Sequence, residues 1–222
     1  MRLTVFNGSP RGRESNSTVL MEYFLKGFHS IGDGTAELFY LNRVKETDKN
    51  TAAFRNAEHV IMIFPLYTDA MPGIVKHFIE ALENTPPGEV SPSLGFIIQS
   101  GFPEPVHSRY VARYMEKFAK RLGCRFSGTV IRGGAEGIRV MPAWMTKKLF
   151  QLFIDLGRQY ALTGRFDEKI AHKLAPHEHL SAGQKFFMNL SRLMGLSNFY
   201  WNSMLKKHNA YAKRFAHPFK DF

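Results

Sequence analysis

The sequence predicts an α/β fold, a doubly wound parallel sheet with helices on both faces, and three observations predict it. Five short apolar runs alternate with segments of helical periodicity over residues 1–141. The run from His59 to Phe64 is almost wholly apolar, as suits a central parallel strand covered on both faces. Beyond Pro142 the strand signals vanish and only helical patterns follow.

Taken in order, Leu3 to Phe6 is a buried-strand candidate ended by Asn7-Gly8-Ser9-Pro10, a strong turn signal. Val19, Leu20, Tyr23, Phe24 and Phe28 then recur at helical spacing, with Ser15, Asn16 and Ser17 placed to cap that helix. Glu37 to Leu41 reads as the second strand, and His59 to Phe64, stopped by Pro65, as the third. A helix starts near Pro72, a residue favoured in a first turn, and Ile74, Val75, Phe78, Ile79 and Leu82 make its apolar stripe. Leu94 to Ile98 supplies a fourth strand, Tyr110 to Leu122 a helix, and Phe126 to Ile131 a fifth strand ending at Gly133-Gly134. Trp144 to Leu162 is a long helix closing at Thr163-Gly164. Asp167 to Leu174, Ser181 to Met194 and Tyr200 to Phe215 follow as helices rich in aromatic and basic residues. The expected organisation is an α/β domain over 1–164 and a basic helical extension over 165–222.

Composition narrows the classes. The chain of 222 residues, 44% hydrophobic with 20 Phe and 8 Tyr, can bury a large core, so extensive disorder is not expected. Its lone Cys124 cannot form an internal disulfide, a zinc site or an iron–sulfur cluster, which fits a reducing, cytoplasmic setting. The start lacks the apolar stretch of a signal peptide, and no run is long enough to span a bilayer. The net charge is +11, and residues 142–222 carry most of it, with 13 Lys and Arg against 5 Asp and Glu. A basic tail can attract nucleic acid, anionic membrane or phosphorylated small molecules, but a solvated basic surface is the simpler reading. We expect no nucleic-acid partner. The tail is expected to pack on its own domain, with dimerisation second and membrane-surface docking a distant third.

The first loop runs from Asn7 through Ser9, Arg11, Ser15, Asn16 and Ser17 to Thr18, joining the first strand to the first helix. In an open parallel sheet this loop lies at the carboxyl edge, where ligands bind. Backbone N–H groups at a helix start, several hydroxyls and a guanidinium favour a bound phosphate. Neither the Gly-x4-Gly-Lys-Ser/Thr pattern nor Gly-x-Gly-x-x-Gly is present, so a single terminal phosphate, as on a mononucleotide, suits the loop best. The plainer alternative is that these residues only cap a helix.

The second loop, Phe64-Pro65-Leu66-Tyr67-Thr68-Asp69-Ala70-Met71-Pro72-Gly73, follows the most apolar strand. With Ser9-Pro10-Arg11 and Ser15-Asn16-Ser17, and with Lys76 and Phe78 after it, this wording resembles the NADPH-dependent FMN reductase branch of the flavodoxin-like superfamily. Ser100-Gly101-Phe102-Pro103-Glu104 and Gly133-Gly134-Ala135-Glu136-Gly137 look like that family's remaining cofactor-edge loops, and the resemblance spans about residues 1–160. It implies a flavodoxin-like five-stranded sheet and non-covalently held FMN. It also implies that Ser9, Arg11, Ser15, Asn16 and Ser17 surround the phosphate. Pro65, Leu66, Tyr67 and Thr68 would line the isoalloxazine, Ser100 and Gly101 would approach it, and Gly134 would stand more loosely by.

The function so implied is an oxidoreductase that takes hydride from NAD(P)H and reduces a flavin, quinone or similar small acceptor, as a homo-oligomer, most simply a dimer. FMN would carry the chemistry, so no side chain is assigned as catalytic acid or base. Two rivals stand beside it: a flavodoxin-type electron carrier, against which the basic charge argues, and an FMN-binding regulatory protein. His177-Glu178-His179 invites a metal reading, but an i, i+2 pair does not share a helix face and no third ligand is evident, so no metal site is expected.

Overall fold

The computed structural model describes residues 1–83, 91–175, 177–193 and 198–217. Its five strands are β1 (Arg2–Asn7), β2 (Thr35–Tyr40), β3 (His59–Pro65), β4 (Ser93–Gln99) and β5 (Arg125–Arg132). They form one sheet in the order β2-β1-β3-β4-β5, and every pairing is parallel. The order reverses at β1, so the crevice past the carboxyl ends of β1 and β3 is the topological switch point.

Strand alternation divides the core. On β3, Val60, Met62 and Phe64 face one way, into a cluster with Phe6, Phe54, Phe78 and Phe96. That side is covered by α2 (Thr47–Arg55), α3 (Gly73–Glu83) and α4 (Val106–Arg121). Ile61 and Ile63 face the other way, toward Leu20, Phe24, Phe153 and Leu156 of α1 (Asn16–Phe28) and α5 (Ala143–Thr163). Every residue of β4 is buried, as a strand inside a two-sided parallel sheet requires.

The helix α2 lies where sequence periodicity gave none. Six of its nine residues, Thr47-Asp48-Lys49-Asn50-Thr51-Ala52-Ala53-Phe54-Arg55, are polar, and a single large apolar anchor, Phe54, reaches the core. At the other end of the domain α5 stops at Gly164, whose φ of 68° is left-handed and whose N–H bonds Tyr160 O at 2.8 Å.

Contacts divide the chain into two compact units, Met1–His179 and Leu180–Phe222. The first takes in α6 (Glu168–Leu174), capped by Asp167, whose side chain accepts from Ile170 N at 2.8 Å. The second holds α7 (Ala182–Leu193) and α8 (Phe199–Lys207). Ser181 and Gln184 start α7 with a reciprocal capping box. The helix expected over Tyr200 to Phe215 is interrupted: α8 ends at Lys207, Asn209 has φ 54°, and a short 3-10 turn Tyr211–Lys213 follows. There Arg214 stands over Tyr211 at 4.1 Å and Phe215 at 4.7 Å.

Candidate functional site

The loop after β1 is held from beneath by one amide side chain. Asn7 is fully buried; its Oδ1 accepts from Ser9 N at 2.9 Å and its Nδ2 donates to Thr18 Oγ1 at 3.0 Å. The Ser15 and Thr18 hydroxyls both donate to Gly12 O, at 2.7 and 3.0 Å. Ser15 Oγ also accepts from Thr18 N, capping α1. Ser15 therefore shapes the loop with its hydroxyl already engaged. The amides of Asn16 and Ser17, the first two of α1, are not used by this cap and open the helix toward an anion. A Cβ on Gly8 would overlap Val75 Cγ2, so glycine lets this loop cross close above α3.

The loop after β3 is tied to the next strand by Leu66 N, which donates to Gln99 O at 2.7 Å. Tyr67 and Ala70 then exchange backbone bonds of 2.8 and 3.0 Å across Thr68 and Asp69. Thr68 and Asp69 have φ of 48° and 59°, the sign pattern of a primed tight turn. A β-branched residue in that region is strained, and strain of this kind persists only where its surroundings impose it. Asp69 is also anchored: its Oδ1 lies 3.1 Å from His107 Nδ1, and the His107 ring stacks on Phe102 at 4.5 Å. Two rim loops are thus joined.

The loops after β4 and β5 are paired to each other. Ser100 N donates to Arg132 O, Gly134 N to Phe102 O and Ala135 N to Ser100 O, at 2.9, 2.7 and 2.8 Å. Arg139 reaches back across the edge and donates to Glu14 O in the first loop.

Nine of the twelve residues expected from sequence line one concavity at this edge: Ser9, Arg11, Ser15, Asn16, Pro65, Leu66, Tyr67, Ser100 and Gly101. Ser17, fully buried, lies beneath it and accepts from Gln99 Nε2 at 3.4 Å. Thr68 and Gly134 are outside the lining; Thr68 forms the turn beyond Tyr67, and Gly134, with φ 65°, packs against Pro103. Glu136, from the loop Gly133-Gly134-Ala135-Glu136-Gly137 that bears the family resemblance, lines the concavity as well; Gln99 also lines it and was not read from the sequence, nor was the organising role of Asn7. The signal for Gln99 was available: it is the polar end of an apolar strand, Leu94-Gly95-Phe96-Ile97-Ile98-Gln99.

The enclosed volume is about 50 Å³. Whole small-molecule sites occupy roughly 300–1,000 Å³, so what is enclosed here is the size of one small group, with anything attached to it lying outside on the rim. Buried Pro65 and Leu66 and half-exposed Tyr67 line the concavity, and half-exposed Phe102 lies outside the lining on the loop after β4. A larger groove of about 730 Å³ lies between α1 and α5 and shares no lining residue with this concavity. Its walls carry no switch-point loop, so volume alone does not mark it as the site.

No protein-family model matches the chain, and no curated protein matches it. Solved structures do. An FMN-dependent NADH-azoreductase from Bacillus anthracis, solved in complex with FMN, is similar at 13% identity and TM-score 0.57, over 72% of this chain and 100% of that one. An NAD(P)H:quinone oxidoreductase from Methanothermobacter marburgensis gives 14% and 0.57, over 72% and 96%. The apo form of an NADH:FMN oxidoreductase, EMOB, gives 16% and 0.53, over 82% and 97%. At such identities the likeness speaks to architecture, and with the strand order 2-1-3-4-5 it establishes that this chain has the flavodoxin-like fold.

Proposed function

We propose that the chain binds FMN non-covalently at the carboxyl edge and works as an NAD(P)H-dependent oxidoreductase that reduces a small acceptor such as a quinone or free flavin. The observation that carries this reading is the union of two features in one concavity. The uncapped amides of α1 lie with Ser9 and Arg11 at a pocket of phosphate size, and Pro65, Leu66 and Tyr67 line the same concavity. The donor set fits a phosphate monoester: two amides, a serine hydroxyl and a guanidinium supply several charge-assisted bonds. The structural neighbours that bind or use FMN support the same reading.

When bound, FMN supplies two-electron carriage between nicotinamide and acceptor. The chain's residues bind and orient. Arg11 and the start of α1 hold the phosphate. Pro65, Leu66 and Tyr67 support one face of the ring, and the Ser100–Gly101 backbone approaches its edge. The Asp69–His107 and Phe102–His107 contacts fix the rim loops so that the opposite face stays open to substrates. The net reaction is NAD(P)H + acceptor + H⁺ → NAD(P)⁺ + reduced acceptor. Residues 1–164 are proposed as the flavin-binding part and 165–222 as a basic extension, in a reducing, cytoplasmic setting. A second copy of the chain is the proposed partner across the open ring face.

The test is a titration of flavin-free chain with FMN, followed by NAD(P)H oxidation with a benzoquinone. Micromolar or tighter binding and turnover that needs FMN support the proposal. Absence of FMN binding rejects it; binding with no NAD(P)H oxidation favours the electron-carrier or regulatory reading.

A further inference from the structure

We infer that the turn and first helical turn of α5, residues 138–148, form a docking surface for an anionic lipid bilayer. Val140, Trp144 and Met145 are 71, 78 and 52% exposed, a run of large apolar side chains presented to solvent from one short stretch. Trp144 and Met141 border the groove between α1 and α5, and Arg139 and Lys147 border the same groove. Lys148 follows, and none of the groove's lining residues is acidic. An exposed indole among aliphatic side chains, ringed by cations, is the chemistry of a bilayer interface: indole at headgroup depth, Lys and Arg on anionic lipid.

Charge selects among occupants. A second copy docked through this same face would bring the patch holding Arg139 and Lys147 against an equally cationic patch, on a chain of net charge +11. An anionic surface gains from the same charges. Arg139 also bonds Glu14 O, so the surface is tethered to the candidate site's first loop. Docking would favour acceptors dissolved in the bilayer, a consequence that rests on the proposed activity, whereas the docking itself does not.

The test uses the full chain carrying Trp201→Phe, which leaves Trp144 as the sole indole of the two. Phosphatidylglycerol-containing vesicles should blue-shift its emission and sediment the protein, and pure phosphatidylcholine vesicles should do neither. In the otherwise unaltered chain Trp144→Ser with Met145→Ser should weaken vesicle binding at least about tenfold with unchanged circular dichroism. Lys147→Gln with Lys148→Gln should weaken it about 30-fold. The inference is overturned by an unshifted Trp144 emission, by equal binding to neutral vesicles, or by binding that survives Trp144→Ser with Met145→Ser. Loss of binding only on Lys206→Gln with Lys207→Gln assigns docking to the tail and also overturns it. So does self-association, or capture of an acidic protein, without vesicle binding.

Discussion

Arg11 and Thr68 show how single residues set the site. Among the described residues Arg11 is the only guanidinium lining the concavity, so Arg11→Ala should weaken FMN binding about 10- to 100-fold by calorimetry, with thermal stability nearly unchanged. Thr68 holds a left-handed conformation that costs about 1–2 kcal/mol for a residue with a Cβ. Thr68→Gly should therefore raise the unfolding midpoint in denaturant; a lowered midpoint would mean the turn is not strained. Cys124 tests the burial of the core. Desolvation pushes its thiol up to about 11, so alkylation at neutral pH should run about 100-fold slower than for a free thiol. Legibility at this scale followed chemistry. Ser9, Arg11 and Tyr67 were readable because hydroxyl, guanidinium and aromatic side chains stand in loops that follow strands. Asn7 was not, since it ends an apolar strand and acts through its neighbours; Gln99, the polar end of an apolar strand, lines the concavity itself and carried a signal that went unread. Ser15 was read as a cap of the first helix and, by resemblance, as a neighbour of the phosphate; its hydroxyl serves Gly12 O and the Thr18 amide, and the residue also lines the concavity.

Among the elements, α1 and α5 depend on close approach. A Cβ on Gly27 would overlap the Ile154 carbonyl, and one on Gly157 the Phe24 carbonyl, so two backbones meet where only hydrogen fits. Gly27→Ala or Gly157→Ala should destabilise the chain by about 1–3 kcal/mol or more in urea melts. The start of β3 carries a pH effect. Desolvation first, then Arg125, lowers the His59 imidazole from its ordinary 6.5, and His59 Nδ1 is buried with no hydrogen-bond partner. The folded state binds this proton less readily than the unfolded state. Its contribution to stability is complete above 6.5 and is lost as pH falls below that value toward the folded one. Melting temperature should drop on going from about pH 7 to about pH 5.5, and His59→Gln should reduce that drop. The strands were legible because two-sided burial demands unbroken apolar runs. The polar helix α2 was not, because Phe54 alone anchors it and one apolar residue makes no period.

For the whole molecule, alternation of strands and helices implied a parallel sheet, but the order 2-1-3-4-5 is a property of long-range pairing that no local pattern encodes. That order matters most for function. It brings the loops after β1, β3 and β4 to one edge and turns separate motifs into a single concavity. The second unit, Leu180–Phe222, was visible in the sequence only as helical, aromatic and basic, and the break after Lys207 gave no stronger signal than Asn209. On the proposed function, this edge grips a monophosphate and supports a flat ring beside it. Parallel calorimetric titrations of the flavin-free chain with FMN and with riboflavin, which lacks the phosphate, test it most directly. FMN should bind about 100-fold more tightly than riboflavin, and Arg11→Ala should remove much of that difference. Equal affinities, or failure of both flavins to bind at micromolar concentrations, would contradict it.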